Sequence, residues 1–181
     1  MAEQKIVRFH ESEYEEVFIE YLIAQGWIYT PGQYLSDRLI TQALYEHDLR
    51  EYLQSRYQKH GLCNEDYDRI IANLRNTIEP NDYLTTRAVH KLICHTGYDY
   101  QPVNGGDPFK VNYIDFDGLE PEVLPSTPNK KYAGNIFRCV NQYEMLEDNE
   151  NRRPDIILLV NGIPVCIIEL KNPADPNATL T

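Results

Sequence analysis

The chain has 181 residues, 42% hydrophobic and 25% charged, the size and composition of one globular domain that buries its core without staples. A formal net charge of −11 repels nucleic acid and argues against a dedicated duplex binder with a basic face. Cys63, Cys94, Cys139 and Cys166 lack paired CxxC spacing, so neither a zinc site nor a disulfide framework is indicated; the charged N-terminus and short apolar runs predict no signal peptide, no membrane helix and a reduced cytoplasmic setting.

The first expected element is a helix over 12–25. Apolar groups at Val17, Phe18, Tyr21, Leu22 and Ala24 fall at helical spacing before a stop at Gly26-Trp27. Glu15 precedes Phe18 by one turn and Leu22 by two, which places it on the inward stripe. It is equally readable as a first-turn acid favoured by the helix dipole.

A second helix is expected over 36–59 from Leu39, Ile40, Ala43, Leu44, Leu49, Tyr52, Leu53 and Tyr57, closed by Gly61. Asn64 is a candidate cap for a third helix running to Ile78, and Asn81 for a fourth ending near Gly97. His90 and Cys94 on that helix have metal-compatible spacing, with His95 beside them. They read more simply as structural side chains, and His10 and His47 as surface groups. The fourteen tyrosines lack basic interleaving and are expected to pack with one edge in water rather than to stack on bases.

From Gln101 the pattern changes to strands and turns. Val111–Phe116 reads as a strand, 118–129 as a Pro-rich loop, and Asn135–Leu146 as another strand. Residues 12–97 are therefore expected to be mainly helical and 101–171 mainly strands. The whole of 1–181 reads as one α/β domain, a mixed central sheet with helices on its faces.

The informative segment is Arg153 to Lys171. Ile156–Val160 and Val165–Ile168 are aliphatic runs suited to central strands, joined at Asn161-Gly162, where Gly tolerates positive φ. Pro154 fits the first residue of a strand because it has no amide to donate. Asp155, Glu169 and Lys171 are charges beside a hydrophobic hairpin, costly unless paired or bound to metal. Register decides whether they meet. A two-residue Asn161-Gly162 loop pairs Asp155 with Ile168 and sends Glu169 and Lys171 to the other face. A three-residue loop of Val160, Asn161 and Gly162, or an equivalent bulge or kink near Asp155, brings all three to one face, with the carboxylates roughly 7–8 Å apart at the backbone. A shared metal requires the second arrangement. Two carboxylates about a hard cation suit Mg²⁺, and such a site fits phosphodiester hydrolysis, with Lys171 orienting water or stabilising an oxyanion. Lys130-Lys131, Arg138 and Arg152-Arg153 supply local positive charge. Arg152-Arg153 could meet phosphate or could be solvated strand-end charges.

Pro154-Asp155 followed by Glu169-x-Lys171 resembles the PD-(D/E)xK nuclease superfamily. The fuller string, Arg-Pro-Asp, an aliphatic strand, Asn-Gly-Ile-Pro, a second aliphatic strand and Glu169-Leu170-Lys171-Asn172-Pro173, resembles the N-terminal endonuclease region of the restriction (motor) subunit of type I restriction-modification enzymes. The resemblance implies a type I site-specific deoxyribonuclease acting on double-stranded DNA. Mg²⁺, for which Mn²⁺ can substitute, would be held by Asp155 and Glu169, with Lys171 catalytic and a first-helix acid, Glu15 or failing that Glu16, pointing at the site. It also implies methylation and specificity subunits as partners, and ATP used by motor domains downstream. The family's Gln-x-x-x-Tyr helix, which comes after the lysine strand, is not found between Lys171 and Thr181, and helicase motifs do not occur in the chain, so 1–181 is expected to be the N-terminal part of a longer ATP-dependent translocase. The other class of function is a non-catalytic docking or regulatory domain of the same fold, acting through its acidic surface.

Overall fold

The computed structural model describes residues 11–35, 38–77, 81–117, 134–147 and 150–171. Helices α1 (Glu11–Ala24), α2 (Glu46–Arg56), α3 (Asn64–Arg75) and α4 (Asp82–Lys91) occupy mainly the first half, and α4 runs on into a π-helical turn, Leu92–Thr96. The strands are β1 (Ile28–Pro31), β2 (Tyr98–Tyr100), β3 (Phe109–Val111), β4 (Phe137–Asn141), β5 (Met145–Glu147), β6 (Glu150–Arg152), β7 (Ile156–Val160) and β8 (Ile163–Ile168). The main sheet has the order β1-β4-β7-β8. Its β1–β4 pair is parallel and its other two pairs antiparallel, so it is the mixed sheet expected.

α1 packs Ile19 and Leu22 against Cys139 and Ile156. Its buried stripe is narrower than the one expected, because Val17 and Tyr21 are 66% and 60% exposed. The largest cluster joins α2 and α3, through Leu49, Leu53, Ile70 and Ile71, to Phe137, Val160 and Ile163 of the sheet. A further cluster sets Leu35, Tyr45 and Tyr143 against Val140, Ile157 and Leu159. Tyr52, Tyr113 and Tyr143 are fully buried, contrary to the half-wet packing expected of the tyrosines. A buried hydroxyl needs a partner, and each finds a backbone carbonyl: Tyr113 donates to Ile70 O at 2.9 Å, Tyr143 to Ala43 O at 3.0 Å and Tyr52 to Asn112 O at 3.1 Å.

Several boundaries differ from the sequence reading for local reasons. The helix expected from 36 starts only at Glu46, because the Tyr45 N–H is taken by Gly162 O at 2.8 Å. α3 is capped one residue before Asn64: the Cys63 N–H donates to the Asp66 carboxylate at 2.8 Å. Ile78 lies outside the described residues. Asn81 caps α4 as expected, its Oδ1 accepting from the Leu84 N–H at 3.0 Å. The strand expected over 111–116 ends at Val111, since the Asn112 N–H donates to the Tyr57 hydroxyl at 2.6 Å instead of a ladder. The strand expected over 135–146 is split into β4 and β5 at Gln142, whose φ is 52°. Residues 118–129 and Lys130-Lys131 fall outside the described residues.

Candidate active site at one end of the central sheet

The hairpin turn is the two-residue form. Asn161 and Gly162 have φ of 52° and 74°, and Val160 pairs with Ile163. The three-residue loop is not formed. Continued unbroken, this register would part the charges, but it is interrupted between Leu158 and Leu159. Leu158 pairs with Cys166 and Leu159 with Pro164, leaving Val165 as the extra residue of a bulge. Ile156 then pairs with Ile168, and Asp155 and Glu169 are the next residues outward on neighbouring strands. The bulge does the work assigned to the longer loop.

Asp155 is fixed from both sides. Pro154 before it is buried and donates no hydrogen bond. The Asp155 carbonyl accepts from the Gln142 N–H at 2.9 Å. One carboxylate oxygen, Oδ2, accepts from the Leu170 N–H at 2.7 Å, which ties the aspartate to the far strand and leaves Oδ1 available. Asp155 is half-buried, whereas Glu169 and Lys171 are exposed. Among the described residues neither Glu169 nor Lys171 has a side-chain partner. Two carboxylates offering oxygen donors at adjacent strand ends fit a hard dication.

One row crosses the whole sheet here: Pro31 pairs with Asn141, Asn141 with Ile156, and Ile156 with Ile168. Glu15 reaches the same end from α1. Its carboxylate accepts from Asn141 Nδ2 at 2.7 Å and Gln142 Nε2 at 3.2 Å, while Glu16 is exposed. The first-helix acid that touches this sheet end is therefore Glu15. It does not form a three-carboxylate cluster with Asp155 and Glu169: among the described residues, the group of His, Cys, Asp or Glu with ligand atoms mutually within 4.8 Å is His47, Asp48 and Glu51.

That second group is already engaged. Asp48 is fully buried and accepts from Arg138 Nε at 2.6 Å and Nη2 at 2.8 Å, a bidentate pair. Arg138 also donates to Thr30 Oγ1 at 2.6 Å, so its charge serves the core and not a phosphate. Arg152 lies 3.9 Å from Glu150, and Arg153 is exposed with no partner among the described residues. His90 stacks edge-on with His95, 5.5 Å between ring centroids, and the π-helical turn removes Cys94 from the regular helical spacing. Burial pushes the Cys139 thiol up to about 11, so it is no nucleophile at neutral pH.

The family model for the type I restriction enzyme R protein N terminus matches residues 8–180. The chain belongs to that family. Within the R protein N-terminal family it is similar to the Type I restriction enzyme HindI endonuclease subunit of Haemophilus influenzae, with 35% identity over 75 residues. The aligned stretch covers 41% of this chain and 7% of that relative's length. In this R protein N-terminal domain, Asn141 and Gln142 are neighbours of the site that the sequence did not mark. Neither carries a motif, and a left-handed Gln has no local signal. No helix among the described residues is long and apolar enough to cross a membrane.

Proposed function

We propose that this domain hydrolyses DNA phosphodiester bonds as the Mg²⁺-dependent nuclease of an ATP-dependent type I restriction enzyme, with a PD-(D/E)xK site made of Asp155, Glu169 and Lys171. The observation that carries the reading is the bulge at Val165, which sets Asp155 next to Glu169 at one sheet end. Asp155 and Glu169 would hold the ion, Mg²⁺ or Mn²⁺ in its place. Bound there, a hard dication supplies a water of lowered pKa and offsets charge on the phosphate. The Leu170 N–H orients Asp155, leaving one oxygen for ligation. Lys171 places an ammonium beside the same strand end, where it orients the attacking water and stabilises the developing negative charge. Glu15 acts on this site through Asn141 and Gln142, which it holds by hydrogen bonds. Double-stranded DNA is the substrate. ATP would be used by motor domains further along the chain. Methylation and specificity subunits would choose the target, and the cytoplasm is the setting.

The test is a Mn²⁺ titration of the 181-residue chain followed by calorimetry. Wild type should bind with loss in Asp155→Ala, and restoring the downstream chain should give DNA scission that Lys171→Ala abolishes while translocation continues. Indifference of metal binding to Asp155→Ala would instead favour a docking domain, the reading that the net charge of −11 supports.

A further inference from the structure

A cleft of about 610 Å³ opens between the end of β1 and the end of β4, with the exposed Arg153 in its lining. That volume lies in the range of small-molecule sites. Its walls are polar, and two features set it apart. The first is charge. Arg38 donates to Gln42 O at 2.6 Å and to Glu144 O, and its guanidinium lies 3.8 Å from the centre of the Tyr143 ring. Among the described residues no carboxylate bonds it, so carbonyl oxygens hold its guanidinium in place. Arg153 adds a second guanidinium; among the described lining residues the acid is Glu144, with the Glu15 carboxylate behind Asn141 and Gln142. The second feature is leftover bonding capacity. Among the described residues, the buried side-chain polar atoms without a partner are Arg38 Nε and Asn141 Oδ1, and both residues line this cleft. Asn141 Nδ2 donates to Glu15 Oε1, which identifies Oδ1 as the free oxygen of the amide, and an amide oxygen can only accept. Such atoms call for an explanation.

We infer that this cleft holds one nucleotide of the DNA strand being cut, with Arg153 and Arg38 on its phosphate and Asn141 Oδ1 accepting from an N–H of its base. An inorganic anion would satisfy the two arginines and leave Asn141 without a donor; a nucleotide supplies both. The row Pro31, Asn141, Ile156, Ile168 puts the cleft and the Asp155–Glu169 pair at the same sheet end, so a strand seated here leads directly past the carboxylates. Arg153, Arg38 and Asn141 are then positioning residues that supply a local grip in a chain whose overall charge opposes DNA. The inference rests on the nuclease reading above.

The experiment is fluorescence anisotropy of a labelled oligonucleotide carrying a duplex to single-strand junction, titrated with the chain in EDTA across a salt series. Arg153→Ala should weaken binding several-fold and lower the slope of log affinity against log salt by ~0.7 to 0.9, one phosphate contact. Asn141→Ala should weaken binding with the slope unchanged, because a base contact releases no counterion. Arg69→Ala, on α3, is the control for a lost exposed cation. An Arg153→Ala slope equal to that of Arg69→Ala overturns the inference, as does an Asn141→Ala chain that binds like wild type or a wild type that does not bind. With metal withheld, these outcomes are independent of Asp155. Scission lost in Asp155→Ala with an unchanged Arg153→Ala slope sinks this inference alone, whereas scission insensitive to Asp155→Ala sinks the nuclease reading and with it the strand-being-cut assignment, leaving at most a DNA-binding cleft.

Discussion

Asn161 carries more of the structure than a turn residue usually does. It is fully buried. Its Oδ1 accepts from the Ile136 N–H at 2.7 Å, and its Nδ2 donates to Tyr113 O and Asn135 Oδ1, both at 2.9 Å. One side chain thus closes three elements over the hairpin end. Asn161→Ala strands the buried Ile136 N–H and forces alanine to a φ of 52°, so the expected loss is about 2–4 kcal/mol, read from the urea midpoint at constant m-value. Asn161→Gly relieves the backbone cost and should recover only the smaller part. The Asn-Gly turn was legible in the sequence because both residues tolerate left-handed backbone. The anchor was not, because its partners come from 20 to 50 residues away and leave no local pattern. The same holds for Arg138: the sequence offered it only as local positive charge, and the buried Asp48 that claims it is invisible without the fold.

At the scale of elements, the start of α3 shows how one acid can bind a helix to its surroundings. Burial raises the pKa of Asp66, but hydrogen bonds from the Val103 N–H, from Cys63 and from the Tyr100 hydroxyl outweigh it and hold the carboxyl at about 2, below the ordinary 3.8. Tyr100, buried and bonded to that carboxylate, has its own pKa raised. A depressed carboxyl pKa stabilises the fold in full above the unfolded value and loses that contribution as pH falls through the folded one. Stability should therefore drop by about 2 kcal/mol between pH ~4 and ~2 from this group, and Asp66→Asn should flatten that step in acid unfolding curves. α4 and β7 were readable in advance, α4 from its cap and β7 from its unbroken aliphatic run. β1 and β2, with 4 and 3 residues, were not, being too short for periodicity to emerge. The stretch before α2 misled for a different reason. Its helical spacing is real, but the Tyr45 N–H is worth more paired with Gly162 O, and tertiary bonding overrode propensity.

For the whole molecule, the sequence named the three charges and the need for an odd register without showing how the chain would supply it. Val165 is a good strand residue with no mark of a bulge, so the shift could be required but not placed. The cleft at the same sheet end was equally hidden, since it is assembled from β1, the loop before α2, β4 and the lead-in to β7. Gly162 lies at the opposite end of the hairpin from both, packed against the start of α2. A Cβ there would lie 2.0 Å from Tyr45 O, so any side chain pries the hairpin off the start of α2. With ~3.3 Å per residue along β7, Asp155 sits roughly 20 Å from that pivot. The hairpin is a lever, and a tilt of ~10° at the pivot would swing its free end by roughly 3 Å, enough to misplace reacting groups severely. Gly162→Ala should consequently depress Mn²⁺ affinity at the proposed Asp155–Glu169 site as well as the unfolding midpoint, though it touches neither carboxylate. Retained affinity in a folded variant would mean the Asp155 end is held by its own neighbours and not by leverage from afar.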